Sequence, residues 1–145
     1  MSSQKIQIKK LDASIQIPEY QTNGSVGFDL AASQEVTINP GEIVLIPTGL
    51  VVKVPSGLML MLVSRSSTPR KKGLTKPHSI GIIDQDYCGE TDELKIQVYN
   101  FTEKSVTIEK GDRIAQGIFV PVIKAEFLEV TSHNQESRGG FGSTG

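Results

Sequence analysis

Two carboxylates and a tyrosine close a short apolar run in Gly81 to Gly89, which reads G-I-I-D-Q-D-Y-C-G. An apolar run that ends in Asp84, Asp86 and Tyr87 and then a glycine has the form of a strand surfacing into a turn, a natural place to hold a reactive group. If the strand runs on straight, Asp84 and Asp86 share a face, and two anions so placed repel unless an arginine, a metal or a proton lies between them. If it turns at Gln85, Asp84 and Tyr87 line one pocket instead. Alone, the segment also fits a polar hairpin tip with solvated carboxylates. A second group stands in S-R-S-S-T-P-R-K-K-G, from Ser64 to Gly73. Ser67 or Thr68 before Pro69 has the form of an N-cap followed by proline at the first helical position, with Gly73 as terminator, and predicts one short helix. Its free N–H groups, the hydroxyls of Ser66 and Ser67, and Arg65 would converge on an anion; the plain alternative is a capped turn.

Asp29 lies between Phe28 and Leu30 after a glycine-punctuated turn, so it is either paired or exposed at a rim. The last stretch, T-S-H-N-Q-E-S-R-G-G-F-G-S-T-G, has the composition of a flexible arm whose glycine N–H groups could wrap phosphates. Phe141 within it gains nothing in solvent and needs a surface to meet. The chain's two histidines, His78 and His133, its single cysteine, Cys88, and the absence of G-x-S-x-G, H-E-x-x-H and G-x-x-x-x-G-K-[ST] exclude the familiar serine-hydrolase, zincin and P-loop arrangements. What remains suits hydrolysis of a phosphoanhydride whose Mg²⁺ is carried by the substrate.

These groups need a scaffold, and 145 residues predict a single domain able to bury about two-thirds of its unfolded surface. A net charge of −1 offers no basic field for long nucleic acids. The start M-S-S-Q-K-I-Q-I-K-K has no signal-like apolar region and no run reaches membrane-spanning length, so the expectation is a cytoplasmic protein without a membrane partner. Alternation predicts strands at Lys5 to Lys9, within Leu11 to Tyr20, and then at Val36–Ile38, Ile43–Ile46, Leu50–Val54 and Leu58–Val63, separated by N-P-G, P-T-G and P-S-G. Leu58 to Val63 lacks polar alternation and is expected to be central and buried on both faces. Further strands are expected at Leu94 to Phe101, at Ser105 to Ile108 and, past E-K-G-D at Glu109 to Asp112, at Arg113 to Ile123, with a last one at Lys124 to Val130. The pattern is all-β, a sandwich or barrel with at most one short helix, organised as one β domain over 1–130 and a C-terminal arm over 131–145.

Five segments, G-S-V-G-F-D-L-A-A, S-R-S-S, G-I-I-D-Q-D-Y-C-G, G-D-R-I-A-Q and R-G-G-F-G-S-T-G, resemble in sequence and order the five motifs of trimeric dUTP pyrophosphatases (dUTPases). They run from Gly24 to Gly145, and the third and fifth are the specific ones. The resemblance implies a β jelly roll, a homotrimer, Mg²⁺ as cofactor, and hydrolysis of dUTP to dUMP and pyrophosphate, which keeps uracil out of DNA and supplies dUMP for thymidylate synthesis. It implies that Asp84 deprotonates a water that attacks the α-phosphorus while Gln116 helps hold it. Tyr87 would pack on the deoxyribose and leave no room for a 2′-hydroxyl, and the backbone of Ile80, Gly81 and Ile83 would read the uracil edge beside His78. Asp29 would reach Mg²⁺ through water. Arg65, Ser66 and Ser67 would meet the phosphate chain, and the arm would close as a lid that stacks Phe141 on uracil and presents Arg138, Gly142, Ser143 and Thr144 to the phosphates. Arg113 would be a buried partner for Asp86. Each site would be shared: the Asp84 segment from one subunit, Asp29, Ser66 and Gln116 from a second, the arm from a third.

The chain departs from the common family pattern in places. Ser64 and Ser67 replace the proline and glycine of P-R-S-G, and His78 stands where many bacterial members carry asparagine. Arg138 lies two residues nearer the phenylalanine than in R-G-x-G-G-F, and E-T-D-E at Glu90 to Glu93 is a small insertion. Two other readings use the same residues: a dCTP deaminase or bifunctional deaminase of the same fold, and a non-catalytic nucleotide-sensing trimer.

Overall fold

Glycine and proline punctuate the chain where its strands turn back. Gly57 and Gly111 sit at φ of 81° and 90°, a left-handed conformation that side chains disfavour. Their turns are closed by Leu58 N–H on the Pro55 carbonyl at 3.1 Å and Asp112 N–H on the Glu109 carbonyl at 3.0 Å. The computed structural model describes residues 3–145. Among these residues eleven strands form: β1 Gln7–Lys10, β2 Phe28–Ala31, β3 Val36–Ile38, β4 Ile43–Pro47, β5 Leu50–Lys53, β6 Leu58–Ser64, β7 Leu74–Thr75, β8 Gly81–Ile83, β9 Lys95–Asn100, β10 Val106–Ile108 and β11 Arg113–Pro121. One helix, α1, spans Thr68–Lys72.

All pairings are antiparallel. The larger sheet runs β2-β11-β6-β8 and the smaller β4-β9-β7, with ribbons β1-β5 and β3-β10. Strands distant in sequence thus lie side by side, in a jelly-roll-like all-β architecture. Leu30, Leu60 and Leu62 of the larger sheet and Ile46, Ile96 and Val98 of the smaller are buried and share one core. The two-residue period puts Phe28 and Leu30 inward and leaves Asp29 facing the other way.

Helix α1 forms as expected, with Ser67 as N-cap, Pro69 in the first turn and Gly73 ending it at φ of 67°. Several expectations are corrected. Leu11 to Tyr20 makes no strand, because Asp12 turns the chain: its Oδ1 accepts the Ser14 N–H at 2.8 Å and its carbonyl the Ile15 N–H at 3.1 Å. Lys124 to Val130 makes none either, since β11 ends at Pro121 and the residues beyond it form no sheet pairing. The exposed carboxyl-terminal stretch therefore begins eight residues before Thr131, at Ile123. β6 is central, between β11 and β8, but only Leu60 and Leu62 are fully buried. Met59, Met61 and Val63 on its other face are half-buried, so burial is one-sided in the single chain.

Candidate active site

Among the described residues β8 is the outer strand of its sheet, paired only with β6, so its far edge offers free backbone donors and acceptors. Gly81 and Ile83 lie along it, and Ile80 precedes it, 40% exposed. After Ile83 the chain turns at Gln85, with Tyr87 N–H on the Asp84 carbonyl at 3.4 Å. The Gln85 side chain swings inward and donates to the Leu58 carbonyl at 2.9 Å, which leaves Asp84 and Asp86 both exposed. They share a depression with Met59, Ile82 and Lys124, while Tyr87 lies outside it, its hydroxyl on the Glu93 carbonyl at 3.0 Å. The turn is thus the one considered from sequence, but Asp84 does not share a pocket with Tyr87 in the single chain.

A second cluster forms where β2, β11 and the end of β6 meet. Gln116 stands directly opposite Asp29 across the β2–β11 pair, so both side chains leave the same face of the sheet. The Gln116 amide donates to the Ser64 carbonyl at 3.2 Å, and its other end lies over Gly27. A Cβ at residue 27 would sit 2.5 Å from the Gln116 Oε1, so only glycine there leaves the glutamine in place. Asp29 receives Arg65 Nε at 2.9 Å on one oxygen and Arg113 Nη1 at 3.0 Å on the other. Arg113 is therefore not the partner of Asp86, which is exposed with no side-chain bond among the described residues. Asp29 resolves as paired, and Arg65 turns to it rather than to the start of α1, where Ser67 makes no side-chain cap and Ser66 is exposed.

These clusters occupy opposite ends of one sheet. Ile83 pairs with Leu60, so Asp84 leaves beside Met59, whereas Gln116 and Ser64 lie at the other end of β6. Five residues of strand separate Met59 from Ser64, roughly 17 Å at about 3.3 Å per residue. A single chain does not bring Asp84 to Ser66, Asp29 or Gln116. The arm is likewise apart: Arg138, Phe141, Gly142, Ser143 and Thr144 are all exposed, and a turn closes on them with Ser143 N–H on the Gly140 carbonyl at 3.1 Å.

As for a metal, no group of three His, Cys, Asp or Glu side chains among the described residues is placed to hold an ion. Asp29 keeps two of a carboxylate's roughly four lone-pair sites free after its two arginine contacts. That donor set fits an ion brought in on phosphates and touched through water, not one caged by the chain.

The family model for dUTPase matches residues 13–145. The chain belongs to the dUTPase family. Among its curated relatives, the deoxyuridine 5′-triphosphate nucleotidohydrolase of Lactococcus lactis subsp. lactis is 44% identical over 140 residues, 94% of this chain and 93% of that protein. The protein of the same name from Helicobacter pylori strain P12 is 41% identical, with 97% of each chain covered. Among solved structures, Streptococcus mutans dUTPase superposes with a TM-score of 0.77 at 33% identity, over 86% of this chain and all of that one. Staphylococcus bacteriophage 80alpha dUTPase with dUPNHPP gives 0.88 at 28% identity, over 99% of both chains.

Sequence reasoning missed Lys76 and Glu93. Lys76 is 7% exposed, two residues before His78, with neither ion pair nor side-chain hydrogen bond among the described residues. Its place in alternation with buried Leu74 was the available signal. Burial lowers the Lys76 pKa, and burial together with the nearby Lys76 ammonium lowers that of His78. The folded chain thus holds the His78 proton less tightly than the unfolded chain, so the stability linked to it is complete above the ordinary value of 6.5 and is lost as pH falls through the lowered value. By NMR, His78 is expected to titrate below 6.5, and Lys76→Met to move its midpoint upward. An unmoved midpoint would remove Lys76 from its surroundings.

Proposed function

We propose that this chain hydrolyses dUTP to dUMP and pyrophosphate, the activity of its family, in sites that three identical chains build together. The observation that carries the shared site is the separation of Asp84 from Gln116 and Asp29 on opposite ends of one sheet. A closed threefold ring brings one end of one chain to the other end of the next, three times over. Exposed apolar side chains support that assembly: Ile82 is 56%, Leu45 56%, Phe127 95% and Leu128 85% exposed.

In this reading uracil lies along the free edge of β8, where the backbone between Ile80 and Ile83 meets its alternating acceptors and N–H donor, with His78 beside it. Tyr87 walls the sugar. Asp84, exposed at the end of that edge, accepts the proton of the water that attacks the α-phosphorus. Gln116 from the neighbouring chain holds the water's other side, its own amide fixed by the Ser64 carbonyl. Ser66 and Ser67 face the phosphates, where negative charge gathers as the water attacks, and Arg65 meets the chain from its place on Asp29. Asp29 would be the water-mediated contact of the Mg²⁺ that the triphosphate carries, and that ion would supply charge neutralisation at the phosphates. The arm closes over the nucleotide: Phe141 covers the base and Arg138, Gly142, Ser143 and Thr144 supply donors, excluding bulk water. Left-handed φ values at Gly139, Phe141 and Gly142 give the arm's end a curled backbone suited to wrapping an anion. The same reading puts the protein in the cytoplasm; no helix among the described residues is long and apolar enough to cross a membrane.

The test is a nucleotide panel with Mg²⁺, followed by pyrophosphate and ammonia release. Cleavage of dUTP is expected, with UTP and dTTP largely spared because the Tyr87 wall and the backbone at Ile82 leave no space for a 2′-hydroxyl or a 5-methyl group. Comparable turnover of dTTP would overturn this pocket, and ammonia from dCTP would overturn the reaction.

A further inference from the structure

The loop Glu90 to Glu93, after Gly89, is tied at both ends to the hairpin that carries Tyr87. Within it, the Asp92 carboxylate accepts the Gly89 N–H at 2.7 Å, the Asp92 N–H donates to the Gly89 carbonyl at 3.1 Å, and the Glu93 N–H donates to Thr91 at 2.9 Å. A Cβ at residue 89 would lie 2.8 Å from Asp92 Oδ2, so any larger residue there would push the carboxylate aside. Glu93 then reaches in two directions. Its backbone carbonyl accepts the Tyr87 hydroxyl at 3.0 Å, and its carboxylate accepts the Gly49 N–H at 2.9 Å. The next residue is stitched to the same place: the Leu94 N–H donates to the Leu50 carbonyl at 2.7 Å, and the Leu94 carbonyl accepts the Thr48 hydroxyl at 2.6 Å.

Tyr87 is 39% exposed, so packing alone holds its ring weakly, and its far end is fixed by this one hydrogen bond. A wall excludes a hydroxyl only if it does not yield. We propose that Glu93 is a positioning residue whose carboxylate, anchored on Gly49, braces the ring of Tyr87 and so sets discrimination between deoxyribo- and ribonucleotides. This rests on the reading of Tyr87 as the sugar wall. The loop is in these terms a strut that the Asp84–Tyr87 hairpin leans on.

Three variants test it, read by kcat/KM for dUTP against UTP and by NMR of the Tyr87 ring. Glu93→Ala removes the anchor, and the dUTP/UTP ratio is expected to fall about ten-fold, the scale of one lost hydrogen bond, with the ring signals averaged by motion. Glu93→Gln keeps an acceptor for the Gly49 N–H and is expected to retain both ratio and ring signals. Tyr87→Phe removes the hydroxyl and is expected to match Glu93→Ala, with the double variant no worse than either. If Glu93→Ala does not fold, Tyr87→Phe with Glu93→Gln carries the comparison. Tyr87→Ala separates the two readings. If it abolishes discrimination while Tyr87→Phe and Glu93→Ala keep it and leave the ring fixed, the wall stands and the brace is overturned. If Tyr87→Ala itself keeps discrimination, the wall is wrong, and the proposed role of Glu93 in sugar choice falls with it.

Discussion

Asp84→Asn is expected to bind dUTP and to turn it over at least about two orders of magnitude more slowly, the scale of losing a general base. The substitution keeps the shape of the side chain and removes its proton acceptor. Asp84 makes no side-chain bond among the described residues and lies exposed in its turn, whose closing bond uses the Asp84 carbonyl and not its carboxylate. The fold should therefore be indifferent: the melting temperature should stay within about two degrees of the parent, as for surface changes away from packed features. Calorimetric titration with a non-hydrolysable dUTP analogue checks binding, and pyrophosphate release checks turnover. Near-normal turnover would move the proton acceptor elsewhere, and Asp86, two residues on in the same depression, is the first residue to substitute next.

That hairpin also marks what the sequence made legible. Glycine and proline fix backbone geometry locally, so N-P-G, P-S-G and E-K-G-D announced their turns, and Ser67, Pro69 and Gly73 announced α1. The strands between them followed because alternation is a property of neighbours. Leu11 to Tyr20 misled for the same reason: Ile15 and Ile17 alternate, but Asp12 had already bent the chain through its own side chain. Lys124 to Val130 misled differently, since a strand needs an edge to pair with, and among the described residues no edge of the same chain receives this one. Partnerships over long separations were the least legible. Arg113 lies 84 residues from Asp29, and only the register of β2 on β11 brings the two together. The Tyr87–Glu93–Gly49 strut likewise depends on a loop reaching back 44 residues, which no local pattern encodes.

The arm gives the other large effect. Deleting Phe141 to Gly145 should leave the fold intact, since these residues are exposed and outside the core, yet it should cut kcat/KM sharply by leaving the site open to water. Combined with Asp84→Asn, the deletion tests the shared site. The chain leaves β11 at Pro121, opposite Leu58, and nineteen residues lie between that point and Phe141, a span of roughly 65 Å when extended. The arm thus has the length to reach a neighbour across a closed ring, and its uncovered Ile123, Phe127 and Leu128 have reason to lie against one. Each variant alone should be nearly inactive: one lacks the base, the other the lid. When the two are refolded together, a working site forms wherever a tail-deleted chain contributes Asp84 and an Asp84→Asn chain contributes the arm. With random mixing in equal amounts, that restores roughly one quarter of the parent's sites. The mixture is to be assayed for pyrophosphate release, with native mass spectrometry to establish that mixed trimers are present. Mixed trimers as inactive as their components would mean that arm and Asp84 come from the same chain. The end-to-end separation of Asp84 from Gln116 would then require a second chain for the water, but not a third for the lid.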